Sequence, residues 1–224
     1  MGDERLHPLL RRTALFESLH SDRAPHALGD SLPVLLADLP TVGPPHEPHP
    51  RSLDIPAEPA RVAKWRDTLE QAGPHPWIGI TWRAGLPSLA HHRGLSKNVP
   101  PAALAAAVAP LQGTVLSLQR NALPDDIALS CAALGRGIVD LAAANADLED
   151  ALALVSLLDR HVGVSNTNMH LAALSGGTAD VLVPFPPEWR WGAEGGATPW
   201  FPGFRVHRQR RDGDWTQALA EIAR

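Results

Sequence analysis

From residue 57 onward, short apolar runs too brief for helices alternate with stretches of helical periodicity, and no other feature constrains the fold as much. Pro59 suits a first helical turn, and Val62, Trp65, Leu69 and Ala72 recur at helical spacing until Gly73-Pro74. WIGITW at 77–82 then reads as a buried strand. The same logic predicts helices over 101–111, 127–134, 149–158 and 167–174, and strands over 114–118, 138–141 and 161–165, with 180–184 as the last strand. Asp147 is the candidate cap of the 149–158 helix, Gly176-Gly177 ends the 167–174 helix, and a final helix starts near Asp214.

Strands that alternate with single helices require crossover connections, which are right-handed and produce a parallel sheet covered on both faces. The expected architecture is therefore an α/β, Rossmann-like parallel sheet flanked by helices over residues 57–224. Residues 1–56 form a separate, irregular, proline-dense segment that ends in TVGPPHEPHPRSLDIPAEP. Its short apolar pieces, Leu9-Leu10 and 32–39, fit strands or helical turns equally well. His46 and His49 lie among prolines and read as solvated loop.

Composition excludes several classes of partner. With 20 basic and 24 acidic residues the chain has no global attraction for nucleic acid or an anionic membrane. No apolar run reaches the roughly 18 to 20 residues that span a bilayer. The start, MGDERLHPLLRR, lacks a signal-peptide pattern, so a cytoplasmic location is expected. The single cysteine, Cys131, is expected to be a buried small hydrophobe.

Ligands of such sheets bind beyond the carboxyl ends of the strands, and three predicted strand ends carry polar groups there. The strand at 161–165 delivers Ser165, Asn166, Thr167 and Asn168 into a helix start, with His170 in the first turn. Unpaired amides at such a start attract an anion. The alternative is that Asn166 or Thr167 caps the helix and His170 packs on a neighbour. Lys97, one of two lysines among the 20 basic residues, follows a loop that leaves the first strand. Gln119 and Arg120 end the second. Asp212-Gly213-Asp214 reads as capping, and His91-His92 lacks a third ligand, so no metal site is expected. There is no complete G-x-G-x-x-G, P-loop or G-x-S-x-G, which disfavours NAD, kinase-like or hydrolase sites.

IGITWRAG at 78–85, Lys97-Asn98-Val99-Pro100, VLSLQ at 115–119, 164–170, LVPFPPEWRW and TPWFPGFRVHRQ occur in an order that resembles bacterial GT-B glycosyltransferases. The similarity is to the C-terminal, nucleotide-sugar-binding half of proteins related to heptosyltransferases and O-GlcNAc transferases, often fused to tetratricopeptide repeats. It covers about 57–224, and 8–56 resembles the tail of the preceding acceptor-side domain.

The resemblance implies a single GT-B-type half that binds a UDP-, ADP- or GDP-linked sugar without metal or other cofactor. Lys97 and the helix start at Asn166, Thr167, Asn168 and His170 would hold the diphosphate, with Gln119 near the nucleotide. It leaves the catalytic residues and the acceptor unassigned. Two positions depart from the family pattern: Asn166 stands where aspartate is common, and Arg83 where a small residue is. Most of the facing acceptor domain, which would supply any general base, is expected to lie outside this sequence. A non-catalytic relative that binds a nucleotide sugar or a protein remains the alternative, and a homo-oligomer or partner chain would cover apolar surface on the front segment.

Overall fold

The structure is a computed structural model that describes residues 3–21, 23, 54–85 and 97–223. The chain divides into two units, Met1–Arg51 and Ser52–Arg224. In the first, a 3-10 turn at Glu4–Leu6 leads into α1, His7–Arg11, so Leu9-Leu10 belongs to a helical turn rather than a strand. The stretch 32–39, the proline-rich 40–53, and His46, His49, His91 and His92 lie outside the described residues.

The second unit is the expected parallel sheet. Its strands are β1 (Trp77–Thr81), β2 (Thr114–Ser117), β3 (Val139–Asp140), β4 (Arg160–Val164), β5 (Asp180–Val183) and β6 (Arg205–Arg208). They lie in the order β3-β2-β1-β4-β5-β6 with every neighbouring pair parallel. This order reverses between β1 and β4, which makes their carboxyl ends the switch point where such sheets take ligands. The sequence reading stopped at 180–184, and β6 corrects it. Arg205, His207 and Arg208 break the apolar pattern of FRVHR, yet Phe204, Val206 and His207 are all buried.

The helices are α2 (Pro59–Ala72), α3 (Pro101–Val108), α4 (Pro124–Leu134), α5 (Leu148–Val155), α6 (Thr167–Leu174) and α7 (Thr216–Ala220). Strand side chains alternate in direction, so the sheet builds two cores. Val181 and Val183 join Trp65 and Leu69 of α2, Leu154 of α5 and Met169 of α6 on one face. Ile78, Ile80, Val162 and Leu182 meet Leu104 and Val108 of α3, Leu134 of α4 and Ala218 of α7 on the other. Asp147 caps α5 as expected, accepting from the Glu149 amide at 2.8 Å. Gly176, at φ 72°, and Gly177 close α6 by the paired bonds of a Schellman motif, Gly176 N–H to Ala173 O and Gly177 N–H to Ala172 O.

The switch point itself depends on a glycine. A Cβ on Gly163 in β4 would collide with the hydroxyl and carbonyl oxygens of Thr81 in β1. Cys131 is half-buried, a correction to the expected full burial, because it lies on the partly exposed side of α4. Among the described residues no helix is long and apolar enough to cross a membrane.

Candidate functional site

The site forms where the chain leaves β1, β4 and β5 at their carboxyl ends. After β1, residues 82–84 run antiparallel to 97–99: the Ala84 amide donates to Lys97 O at 3.0 Å and the Val99 amide to Trp82 O at 2.9 Å. The Trp215 indole, buried under α7, donates to Asn98 O at 3.2 Å. These bonds fix Lys97 over the sheet edge. Its ammonium lies 2.8 Å from Oε1 of Glu188, four residues past Pro184 at the end of β5.

Glu188 is the centre of the cluster. Its Oε1 also takes the Arg190 guanidinium at 3.3 Å, and its Oε2 accepts from the Ser165 hydroxyl at 2.7 Å. Burial would raise its carboxyl pKa, but the hydrogen bonds from Lys97 and Ser165 outweigh burial and hold it below the usual carboxylate range. A carboxylate stabilised in this way is a poor proton acceptor.

Ser165 is followed by Asn166, the N-cap of α6. The Asn166 side chain accepts from the Asn168 amide at 3.0 Å and the Met169 amide at 3.3 Å. The capping alternative therefore holds for Asn166, and two of the amides expected to face an anion are already satisfied. Thr167 is exposed at the first helical position, and its amide has no partner among the described residues.

His170, one turn on, lies with Nε2 3.3 Å from Nη1 of Arg190. Arginine only donates, so Nε2 is the acceptor and the ring is neutral. Burial, reinforced by the Arg190 charge, pushes its pKa down to about 4. The ring also packs 5.4 Å from Phe201 and 6.3 Å from Trp191. His170 thus belongs to the cluster through Arg190 and not as a charged ligand.

Two expected site residues have other work. Gln119 is buried, and its Oε1 accepts from the Trp82 and Arg83 amides at 2.9 and 2.8 Å. Its Nε2 donates to Arg120 O at 2.9 Å and Arg83 O at 3.2 Å. Every hydrogen-bonding position of the amide is filled, so Gln119 is a clamp that shapes the exit from β1. Asn168 is buried as well and donates to Leu118 O at 3.2 Å, tying α6 to the end of β2. Arg83 reaches Asn121 O at 2.7 Å and lies 3.5 Å from Asp126.

The structure brings Lys97, His170 and the α6 start to one edge, together with Glu188 and Arg190, which the sequence reading does not single out. Both sit in PPEWRW, directly after a predicted strand and beside the tryptophans of that segment. The strand-end rule that singled out Lys97 applies equally to them. Of those tryptophans, Trp191 is fully buried and stacks on Phe201 at 4.6 Å, whereas Trp189 is exposed. Among the described residues no three His, Cys, Asp or Glu side chains gather as a metal cluster.

Two open cavities, about 280 and 350 Å³, lie at the opposite, amino edge around Asp159, His161 and Thr178. The acidic groups there are already paired, Asp159 with His75 and Asp180 with Arg160 and Arg205, so the chemistry points to the carboxyl edge instead.

A search of solved structures finds the glycosyl transferase family 9 protein from Veillonella parvula. It is 12% identical with a TM-score of 0.50, over 70% of this chain and 43% of that one. The fold is glycosyltransferase-like. No family model matches the chain. Among curated proteins, Protein FlbA of Caulobacter vibrioides is 31% identical over 204 residues, which is 88% of this chain and 32% of the relative. The chain thus spans about a third of the relative's length, and the relative's name carries no chemistry.

Proposed function

We propose that residues 57–224 are the nucleotide-sugar-binding half of a glycosyltransferase-like protein and that the diphosphate docks at the carboxyl ends of β1 and β4. The observation that carries this reading is the convergence of Lys97, Arg190 and the start of α6 at the switch point of the sheet. Two cations and a helix N-terminus can neutralise a leaving diphosphate without a metal ion, because oriented charges act strongly in a partly dehydrated site. The glycosyltransferase-like fold supports a UDP-, ADP- or GDP-linked sugar as donor.

Two observations favour the second reading, a non-catalytic relative. Glu188 already neutralises Lys97, and Gln119 and Asn168 serve the fold. Thermal-shift measurements with UDP-, ADP- and GDP-sugars, with and without EDTA, test the donor reading, since a ligand bound only by the native state raises apparent stability. Binding is expected to survive EDTA. Lys97→Ala is expected to weaken it about tenfold to a hundredfold, the range of one charge-assisted hydrogen bond. No shift with any of the three donors would leave the non-catalytic reading.

A further inference from the structure

Lys97, Arg190 and Ser165 present their donors to one place, and that place holds a carboxylate from the chain itself. Glu188 Oε1 takes Lys97 at 2.8 Å and Arg190 at 3.3 Å, while Oε2 takes Ser165 at 2.7 Å. Ser165 immediately precedes the cap of α6, so the carboxylate sits within a hydroxyl's reach of the helix's positive end. With His170 neutral, the cluster sums to two positive charges against one negative. We infer that Glu188 is a resident anion that stands in for a ligand phosphate, and that polyphosphate ligands bind by exchanging with it. The inference rests on the donor reading above and adds to it the step that admits the ligand.

The backbone around Glu188 suits such an exchange. Glu188 is the residue before the 3-10 turn Trp189–Trp191, and Trp191 is fully buried against Phe201 and Phe204. On its other side the chain is held by β5, and the Phe185 amide donates to Gln209 at 3.0 Å. The main chain is therefore anchored on both sides, and the glutamate can leave by side-chain rotation alone.

Exchange also selects for ligand class. A single-charge anion offers Lys97 and Arg190 no more than Glu188 already does, and it must displace a tethered competitor. A diphosphate offers separate charged oxygens to the two cations and to the Thr167 amide. The cradle should therefore discriminate against acetate or chloride and accept diphosphates.

Calorimetry with inorganic pyrophosphate, acetate and the three nucleotide sugars on wild type, Glu188→Gln and Glu188→Ala tests this. Thermal melts of the free proteins serve as a check on folding, and Glu188→Gln preserves shape if Glu188→Ala does not fold. The expected result is pyrophosphate binding about tenfold tighter in Glu188→Gln than in wild type, with acetate binding neither. Equal or weaker pyrophosphate binding in Glu188→Gln overturns the exchange and makes Glu188 a positioning residue for Lys97. Nucleotide sugars that bind wild type and are unaffected by Glu188→Gln would leave the donor reading standing and remove the exchange. Pyrophosphate that gains affinity while no nucleotide sugar binds either form would do the reverse. An absence of binding in every protein rejects both.

Discussion

The two edges of the sheet each hold a carboxylate paired with two cations, and they are built differently. At the amino edge, Asp180 begins β5 and is almost fully buried. It takes Arg160 of β4 at 2.9 Å, and Arg205 and His207 of β6 at 2.7 and 2.8 Å. Burial raises the Asp180 carboxyl, but the bonds from His207, Arg205 and Arg160 outweigh it and hold it low. All four residues are rungs of adjacent strands, so the sheet register fixes the network. At the carboxyl edge, Glu188, Arg190 and Lys97 come from segments beyond the strands and meet through long side chains. The first arrangement secures strand order. The second can be rearranged without moving a strand, which is what a ligand site requires.

The largest effect expected from this contrast is at Asp180. Asp180→Ala would orphan the Arg160 guanidinium, which is mostly buried and, among the described residues, otherwise bonded only to the Ile222 carbonyl. Removing one partner of a buried ion cluster costs about 3–5 kcal/mol, because an uncompensated charge stays behind. Because Arg205 is half exposed and can turn to water, the lower end is expected here. Urea unfolding should show the loss, while pyrophosphate binding at the far edge stays within twofold. A variant as stable as wild type would mean that the amino-edge network does not hold β4, β5 and β6 together.

Acid sensitivity compares the two edges at once. His161, fully buried in β4 near the amino edge, is pushed down to about 4 by burial, only partly opposed by Asp180. His170 at the carboxyl edge is pushed to the same value by burial and Arg190. In the unfolded chain both take protons near pH 6.5. Between these values the unfolded state binds more protons, so stability is intact above about pH 6.5 and falls as pH drops toward 4. The loss by pH 4 is expected to be on the order of 3 kcal/mol per histidine. His170→Gln should remove part of it and leave the His161 part. A flat stability profile between pH 7 and 4.5 would contradict the neutral state of both rings.

The sheet is legible where its strands carry an unbroken apolar run of their own, WIGIT in β1 and Val162 to Val164 in β4, bounded by turn residues. Strand β6 is not, since His207 is inward-facing but polar and its acceptance depends on Asp180, 27 positions away. The site divides in the same way. Lys97 and His170 could be placed because each follows a predicted strand end. The backbone bonds of Gln119 and Asn168 are not legible in the sequence, because the same amide that can meet a nucleotide can also close a backbone turn, and only the partners decide. Local spacing reports position along the chain. It does not report whether a donor is already used.

The smallest effect expected concerns Lys97, and it separates the two edges most cleanly. Lys97→Met removes a cation from the Glu188 cluster but does not strand the carboxylate, which keeps the Ser165 hydroxyl and the Arg190 guanidinium. The methionine chain can retain much of the apolar contact made by the lysine stem. Lys97 is no more exposed than Arg160, but Lys97→Met leaves Glu188 with two donors, so it should cost about 1–3 kcal/mol at most, less than Asp180→Ala, while weakening pyrophosphate binding. The ratio of its cost to that of Asp180→Ala is the quantity to measure in one denaturant series. If Lys97→Met costs as much as Asp180→Ala, the carboxyl edge is a structural ion cluster like the amino edge. Glu188 would then be too firmly held to give way to a phosphate.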